Sequence, residues 1–330
     1  MPQRTNNIIE ERFGLKGGEG KTLEAIGQVY DLTRERVRQI IDEGISKIRL
    51  KLKEYQKVYQ HFNRVFKSFG DLKKEDALLS FLGGEKFQNQ ISFLLTLDEG
   101  FERLPEDESF FSFWTKSKDS ADSAEKVIDL TLNKFQTEKK TYSLKDIFEI
   151  QKVNIEKALN KKINQDIFGT YLEISKKIQK NPENYYGLRD WLEINPRGIK
   201  DKAYLVFKKQ GKPLHFTEVA NYIEKLPFLS VRKAQLATVH NELIRDQRFV
   251  LVGRGLYALK EWGYEPGIVK DIILKVLKEA DRPLTKKEIV EKVLKQRIVK
   301  ANTVSINLQN KNAFLRDAEG KYRINKVQEA

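Results

Sequence analysis

The sequence predicts a mainly α protein: an N-terminal helix-turn-helix followed by an array of winged-helix-like units with short β-wings. Three observations carry this expectation. Between Thr22 and Ile41, the apolar residues Leu23, Ile26, Tyr30, Leu32, Val37, Ile40 and Ile41 fall where two short crossing helices bury them, and Gly27 allows close approach. Further along, helical stretches recur, each followed by a short aromatic segment better suited to strand, and all three tryptophans close such segments. Finally, Tyr186-Gly187-Leu188-Arg189-Asp190-Trp191 and Tyr257-Ala258-Leu259-Lys260-Glu261-Trp262 share the pattern Tyr, small, Leu, basic, acidic, Trp at a spacing of 71 residues, which marks an internal repeat.

Residues 1–55 read as short helices around the turn Gly17-Gly18-Glu19-Gly20, closing in a long amphipathic helix from about Arg34 to Tyr55. Thr22 and Thr33 suit helix N-caps, each followed within two positions by a glutamate that complements the helix dipole. Asp31 tolerates the left-handed backbone of a tight turn. Residues 56–115 form the first winged-helix-like unit, ending in a weaker relative of the repeat, Phe110-Phe111-Ser112-Phe113-Trp114. The polar stretch 116–123 separates it from a second helical, winged-helix-like unit at 120–194. Asn195-Pro196-Arg197-Gly198 opens the unit 195–263, and Glu265-Pro266-Gly267 opens the last, 266–326. In that last unit a turn at Glu319-Gly320 between two strand-like runs predicts a hairpin.

Composition narrows the function classes. A chain of 330 residues with 40% apolar residues holds several cores, and no run of 18 apolar residues suggests a membrane span. The N-terminus lacks the apolar stretch of a signal peptide, so a cytoplasmic, nucleoid-associated protein is expected. With no cysteine, and with His61, His215 and His240 scattered, neither a metal centre nor another cofactor is expected. Gly20-Lys21-Thr22 does not make a phosphate loop, because Leu15 stands where that motif needs glycine. Nor does a nucleophile-base arrangement appear, so an enzyme is not expected.

The formal charge is +14, and residues 196–330 hold 28 Lys and Arg against 15 Asp and Glu, leaving the preceding residues near neutrality. A polyanion attracts such a segment by counterion release. Nucleic acid is therefore the expected partner, in preference to a membrane surface, because no sustained apolar amphipathic face accompanies the charge.

If Val37, Ile40 and Ile41 face inward, the i, i+4 pairs Arg34 with Arg38 and Glu35 with Gln39 face outward on the first turns of the second helix. These four are the candidate base-reading residues: Arg bonds guanine bidentately, Gln pairs with adenine, and Glu accepts from a cytosine amino group. Thr33, Arg36, Lys47 and Arg49 are candidate phosphate contacts, which position without specifying.

The stretches Glu11-Arg12-Phe13-Gly14-Leu15, Gly18-Glu19-Gly20-Lys21-Thr22-Leu23-Glu24 and Thr33-Arg34-Glu35-Arg36-Val37-Arg38-Gln39-Ile40 resemble region 4 of the sigma-70 family over about 50 residues. The resemblance implies recognition of a promoter −35-like element through Arg34, Glu35, Arg38 and Gln39, and docking on the β flap of the RNA polymerase core.

Gly211-Lys212-Pro213-Leu214-His215-Phe216-Thr217-Glu218-Val219-Ala220, with the runs around Thr238–Leu243 and Arg248–Tyr257, resembles the HARE-type winged helix also found in the RNA polymerase delta subunit. Residues 269–324 look like a second, more diverged winged helix. Arg245, Arg248 and Arg254, the last at a wing tip, are candidate phosphate contacts, and His215 reads as a packed or hydrogen-bonded structural residue.

The expectation is a transcription-initiation factor that binds double-stranded DNA. Two other classes compete: an autonomous repressor or architectural DNA-binder, and a specificity or accessory component of a restriction system.

Overall fold

A computed structural model describes residues 1–228, 234–264 and 267–325. They divide into two compact bodies, Met1–Ile194 and Asn195–Ala330. The fold is mainly α with short β-wings, as the hydrophobic periodicity implies.

The first body begins with α1 (Gln3–Phe13), α2 (Leu23–Tyr30) and α3 (Arg34–Arg49). Both threonine caps form: Thr22 Oγ1 accepts from Ala25 N at 3.1 Å and Thr33 Oγ1 from Arg36 N at 3.2 Å. Asp31 closes α2 at φ +54°, and a Cβ on Gly27 would lie 2.5 Å from the Leu32 carbonyl oxygen, so the turn needs glycine there. Ile8, Ile9, Ile26, Val37 and Ile41 are the buried centre of this three-helix unit. The long helix expected to reach Tyr55 ends instead at Arg49. Leu50, next in the apolar pattern, is 82% exposed, and the chain turns through a 3-10 segment at Leu52–Tyr55.

From there the order helix, strand, helix, helix, strand, strand occurs three times, and a fourth time with a single bridge in place of the first strand. The first copy comprises α4 (Gln56–Ser68), β1 (Leu72–Lys74), α5 (Glu75–Gly83), α6 (Gln88–Leu97), β2 (Glu102–Leu104) and β3 (Phe113–Thr115). The second comprises α7 (Lys118–Glu138), β4 (Tyr142–Ser143), α8 (Leu144–Leu159), α9 (Gln165–Glu173), β5 (Ile178–Lys180) and β6 (Tyr185–Leu188).

In the second body, the third copy comprises α10 (Gly198–Gln210), β7 (Leu214–His215), α11 (Phe216–Glu224), α12 (Leu236–Arg245), β8 (Phe249–Gly253) and β9 (Leu256–Leu259). The fourth comprises α13 (Val269–Ala280), α14 (Lys286–Gln296), α15 (Ala301–Asn307), β10 (Phe314–Arg316) and β11 (Tyr322–Ile324), with a single bridge from Leu284 to Tyr322 in place of the first strand. The expected hairpin turn forms at Gly320, at φ +83°.

The three complete sheets share one order, first strand, last strand, middle strand. Leu72, Tyr142 and Leu214 pair with Thr115, Tyr186 and Tyr257, and the Leu284–Tyr322 bridge continues the series. The two tyrosines of the sequence repeat therefore occupy one structural register. Their tryptophans do too: Trp191 meets Phe135 edge-on at 5.7 Å and Trp262 meets Phe207 at 6.2 Å, each against the first helix of its unit. Trp114 is out of this register. It stands one residue before Thr115 inside β3, buried, with its indole N–H donating to Glu75.

The polar stretch 116–123 is the start of a helix, because Ser117 caps α7 by accepting from Ser120 N. The two winged units beside it share a core that includes Leu72, Phe113, Ile128, Phe135, Phe168 and Tyr171. In the second body, Val252 O in β8 accepts from Ile298 N at 3.1 Å, joining the last two winged units, and within the last unit Arg297 donates to the Gly267 carbonyl.

Candidate nucleic-acid interface

The N-terminal unit holds α3 by one face only. Val37, Ile41 and Gly44 are buried, and a Cβ on Gly44 would lie 2.6 Å from the Ile9 side chain, so α1 packs directly on the α3 backbone. Opposite that face, Arg34, Glu35, Arg38 and Gln39 are all exposed on the first two turns, together with the flanking Thr33 and Arg36. The four residues singled out from spacing thus lie on one uncovered surface.

Their side chains are ordered by one another. Arg38 donates to Glu35 Oε1 at 2.6 Å and to Asp42 Oδ2 at 2.7 Å, and Arg36 donates to Gln39 Oε1 at 3.2 Å. The hydrogen bonds from Arg38 hold the Glu35 carboxyl below the usual carboxylate range. Glu35 is therefore an acceptor at neutral pH. These pairs stand in water, where ion pairs are weak and salt-screened, so they present Arg38 without sequestering it. Arg34 makes no hydrogen bond or ion pair among the described residues, and Lys47 is exposed near the end of α3.

Two of the expected phosphate contacts are engaged elsewhere. Arg49 donates to the carbonyls of Leu97 at 3.0 Å and Thr96 at 3.1 Å and pairs with Glu99 at 2.9 Å, so its guanidinium satisfies the C-terminal carbonyls of α6. Arg248 is not on a helix. It precedes β8 and pairs with Asp246 at 2.6 Å and Asp201 at 2.9 Å, and the Asp246 carboxylate in particular raises its pKa. Both arginines are internal clamps; the partners of Arg49, and Asp201 for Arg248, lie in other elements, whereas Asp246 stands two residues from Arg248. Arg245, by contrast, is exposed at the end of α12, and Arg254 is exposed on the β8–β9 turn.

That turn is built closely on its own unit. A Cβ on Gly255, at φ +70°, would lie 2.3 Å from the His215 ring, so glycine lets the wing fold down on the N-terminus of α11. His215 Nδ1 lies 2.7 Å from Thr217 Oγ1, and the His215 N–H donates to Glu218 at 2.8 Å, which completes a capping box. The histidine is thus a structural cap.

Sequence reasoning missed how α6 holds the helix-turn-helix. Asn89 Nδ2 donates to Gly18 O at 2.8 Å, Gln90 Nε2 to Leu15 O at 2.7 Å, and Phe93 meets Phe13 at 4.8 Å. The run Gln88-Asn89-Gln90 was the available signal, three amides in a row at a helix start without a charged residue. Among the described residues, no helix is long and apolar enough to cross a membrane.

Comparison with known proteins agrees with this geometry. The model of sigma-70, region 4 matches residues 1–50, the three-helix unit that presents α3. The model of the HARE-HTH domain, a helix-turn-helix type described from restriction endonucleases among other proteins, matches residues 197–262, the third winged unit. The RNA polymerase sigma factor SigA of Bacillus sp is 43% identical over 49 residues, covering 15% of this chain and only 13% of that relative. Both resemblances seen in the sequence are thereby matched. Fold and matches together define a chain with a helix-turn-helix domain of a DNA-binding type in each of its two bodies.

Proposed function

We propose that the chain is a non-catalytic transcription-initiation factor that reads a short −35-like promoter element with α3 and holds the RNA polymerase core. The observation that carries this reading is the uncovered face of Arg34, Glu35, Arg38 and Gln39, on a unit matched by the sigma-70, region 4 model. Such a face fits the major groove: two guanidinium groups for guanine, an amide for adenine and a carboxylate for cytosine. Thr33, Arg36 and Lys47 flank it as phosphate contacts, while Arg245 and Arg254 supply further cationic contacts from the third winged unit. Its place in the cell is then the cytoplasm, on the nucleoid. Partnership with polymerase rests on the likeness to a sigma factor over the first 50 residues.

The test is an affinity pull-down of the full chain from its native cells with nuclease present. Retention of polymerase core subunits near stoichiometry is expected. Their absence, with sequence-selective DNA binding intact, would make the protein an autonomous regulator. Co-purification of a nuclease or methyltransferase would make it a restriction accessory component.

A further inference from the structure

The four winged units differ in what covers their third helix. In the first two, α6 and α9 carry no lysine or arginine; no residue of α6 is exposed, and Asp166 alone is exposed in α9. The third helix of the last unit, α15, likewise carries no lysine or arginine, but residues along one side of it are exposed and lysines flank it. Val304 and Leu308 are buried on one side of α15 and the turn after it, whereas Asn302 in α15 and Gln309 in that turn, seven residues on, are exposed. Neither side-chain amide has a partner among the described residues, and Ser305, between them, donates its hydroxyl only to the Ala301 carbonyl within its own helix. Exposed Lys300 and Lys311 stand at the two ends of this segment, with no ion pair among the described residues.

We propose that this last winged unit is a second duplex-DNA reader, in which Asn302, Ser305 and Gln309 meet base edges in the major groove while Lys300 and Lys311 grip the flanking phosphates. The choice of partner follows from chemistry. Exposed amides offer a donor and an acceptor side by side, which matches the edge of adenine, and lysines just before α15 and just after the turn that follows it match the two phosphate walls of a groove. Residues 267–325 hold fourteen Lys and Arg against seven Asp and Glu, so the surrounding field favours a polyanion. The inference rests on the reading that the chain binds duplex DNA, and it adds a second, independent recognition element to α3.

The experiment is selection of bound duplexes from a random-sequence pool by the full chain, repeated with Asn302→Ala/Gln309→Ala and separately with Arg34→Ala/Arg38→Ala. The expected result is two sequence blocks for the unaltered chain. The α15 variant should lose one block, with about ten-fold weaker binding to the full site, and the α3 variant should lose the other. A motif unchanged in the α15 variant would overturn this inference and leave the α3 reading intact. A block that depends on α15 alone, with none attributable to α3, would support the inference and contradict the promoter-reading role of α3.

Because the substituted side chains are exposed, both variants should fold. Circular dichroism checks this, and a second pair of substitutions does not depend on base readout. Lys300→Ala/Lys311→Ala should reduce the slope of log affinity against log salt by about 1.8 on any duplex, roughly 0.9 for each lost phosphate contact. An unchanged slope would overturn the claimed grip on DNA, and capture of a protein on this face in its place would reassign it.

Discussion

The winged units of the first body and those of the second share an element order and a sheet register, yet their third helices differ in how far they are covered. In the first body, α6 holds the helix-turn-helix through Asn89, Gln90 and Phe93. Tyr171 of α9 donates to the Gly70 carbonyl at 3.0 Å, while Glu173 pairs with Lys73 at 2.6 Å across the neighbouring unit. The wing is committed as well: Phe111 N donates to Ile174 O at 2.9 Å, and Lys176 pairs with Glu106. In the second body, six of the ten residues of α12 are exposed, and α15 is uncovered on its amide face. One fold therefore serves as a mount where its third helix packs on a neighbouring unit, and as a candidate reader where, as at α15, exposed amides stand between flanking lysines.

The largest effect that would test this contrast is on stability. Tyr171→Ala should cost about 3–5 kcal/mol, because it empties a fully packed position between two units and removes a buried hydrogen bond. Asn302→Ala on α15 should stay within about 0.5 kcal/mol. Denaturant unfolding of the two variants measures both, and equal losses would erase the distinction between mount and reader.

A sharper comparison lies within α3. Arg49→Ala should destabilise the chain by about 1–3 kcal/mol, since the α6 carbonyls lose their donors, and should leave the salt slope of DNA binding unchanged. Arg36→Ala should do the reverse, with stability unaltered and the slope reduced by about 0.9. Thermal denaturation and fluorescence anisotropy across a salt series separate the two arginines. A slope change in the Arg49 variant would return that residue to the DNA-contacting face.

The smallest effect concerns the fourth winged unit. Glu288 accepts from Thr285 Oγ1 at 2.7 Å, from Thr285 N at 2.8 Å and from Arg282 at 2.9 Å, and these bonds depress its pKa to about 2. A carboxyl depressed in the folded state stabilises at pH above its unfolded value, and that contribution is lost as pH falls toward about 2. Glu288→Gln should therefore flatten the acid limb of the stability profile. An unchanged acid limb in that variant would show that the capping box does not contribute to acid sensitivity.

Much of this architecture was legible in the sequence because it depends on local chemistry. Thr22, Thr33 and Asp31 mark the ends of α2 and α3, and Tyr186 and Tyr257 mark a strand register that two units share. What sequence could not disclose are pairings between distant elements. Arg49 lies on the polar side of an amphipathic helix, and nothing within that helix points to the carbonyls of Thr96 and Leu97. Trp114 resembles Trp191 and Trp262 as the end of an aromatic run, but strand pairing, which sets the true alignment, places Thr115 opposite Leu72. The α3 face was legible for the opposite reason: its residues need no distant partner.

The central claim is that this exposed face reads base sequence, and the most direct measurement is a binding competition. The full chain and its Arg38→Ala variant are titrated, at about 0.15 M salt, against the duplex recovered by selection and a scrambled duplex of equal length. The account predicts a preference of about a thousand-fold or more for the selected site, and a loss of about ten-fold or more of that preference in the variant. Equal losses on both duplexes, or no preference in the unaltered chain, would contradict it.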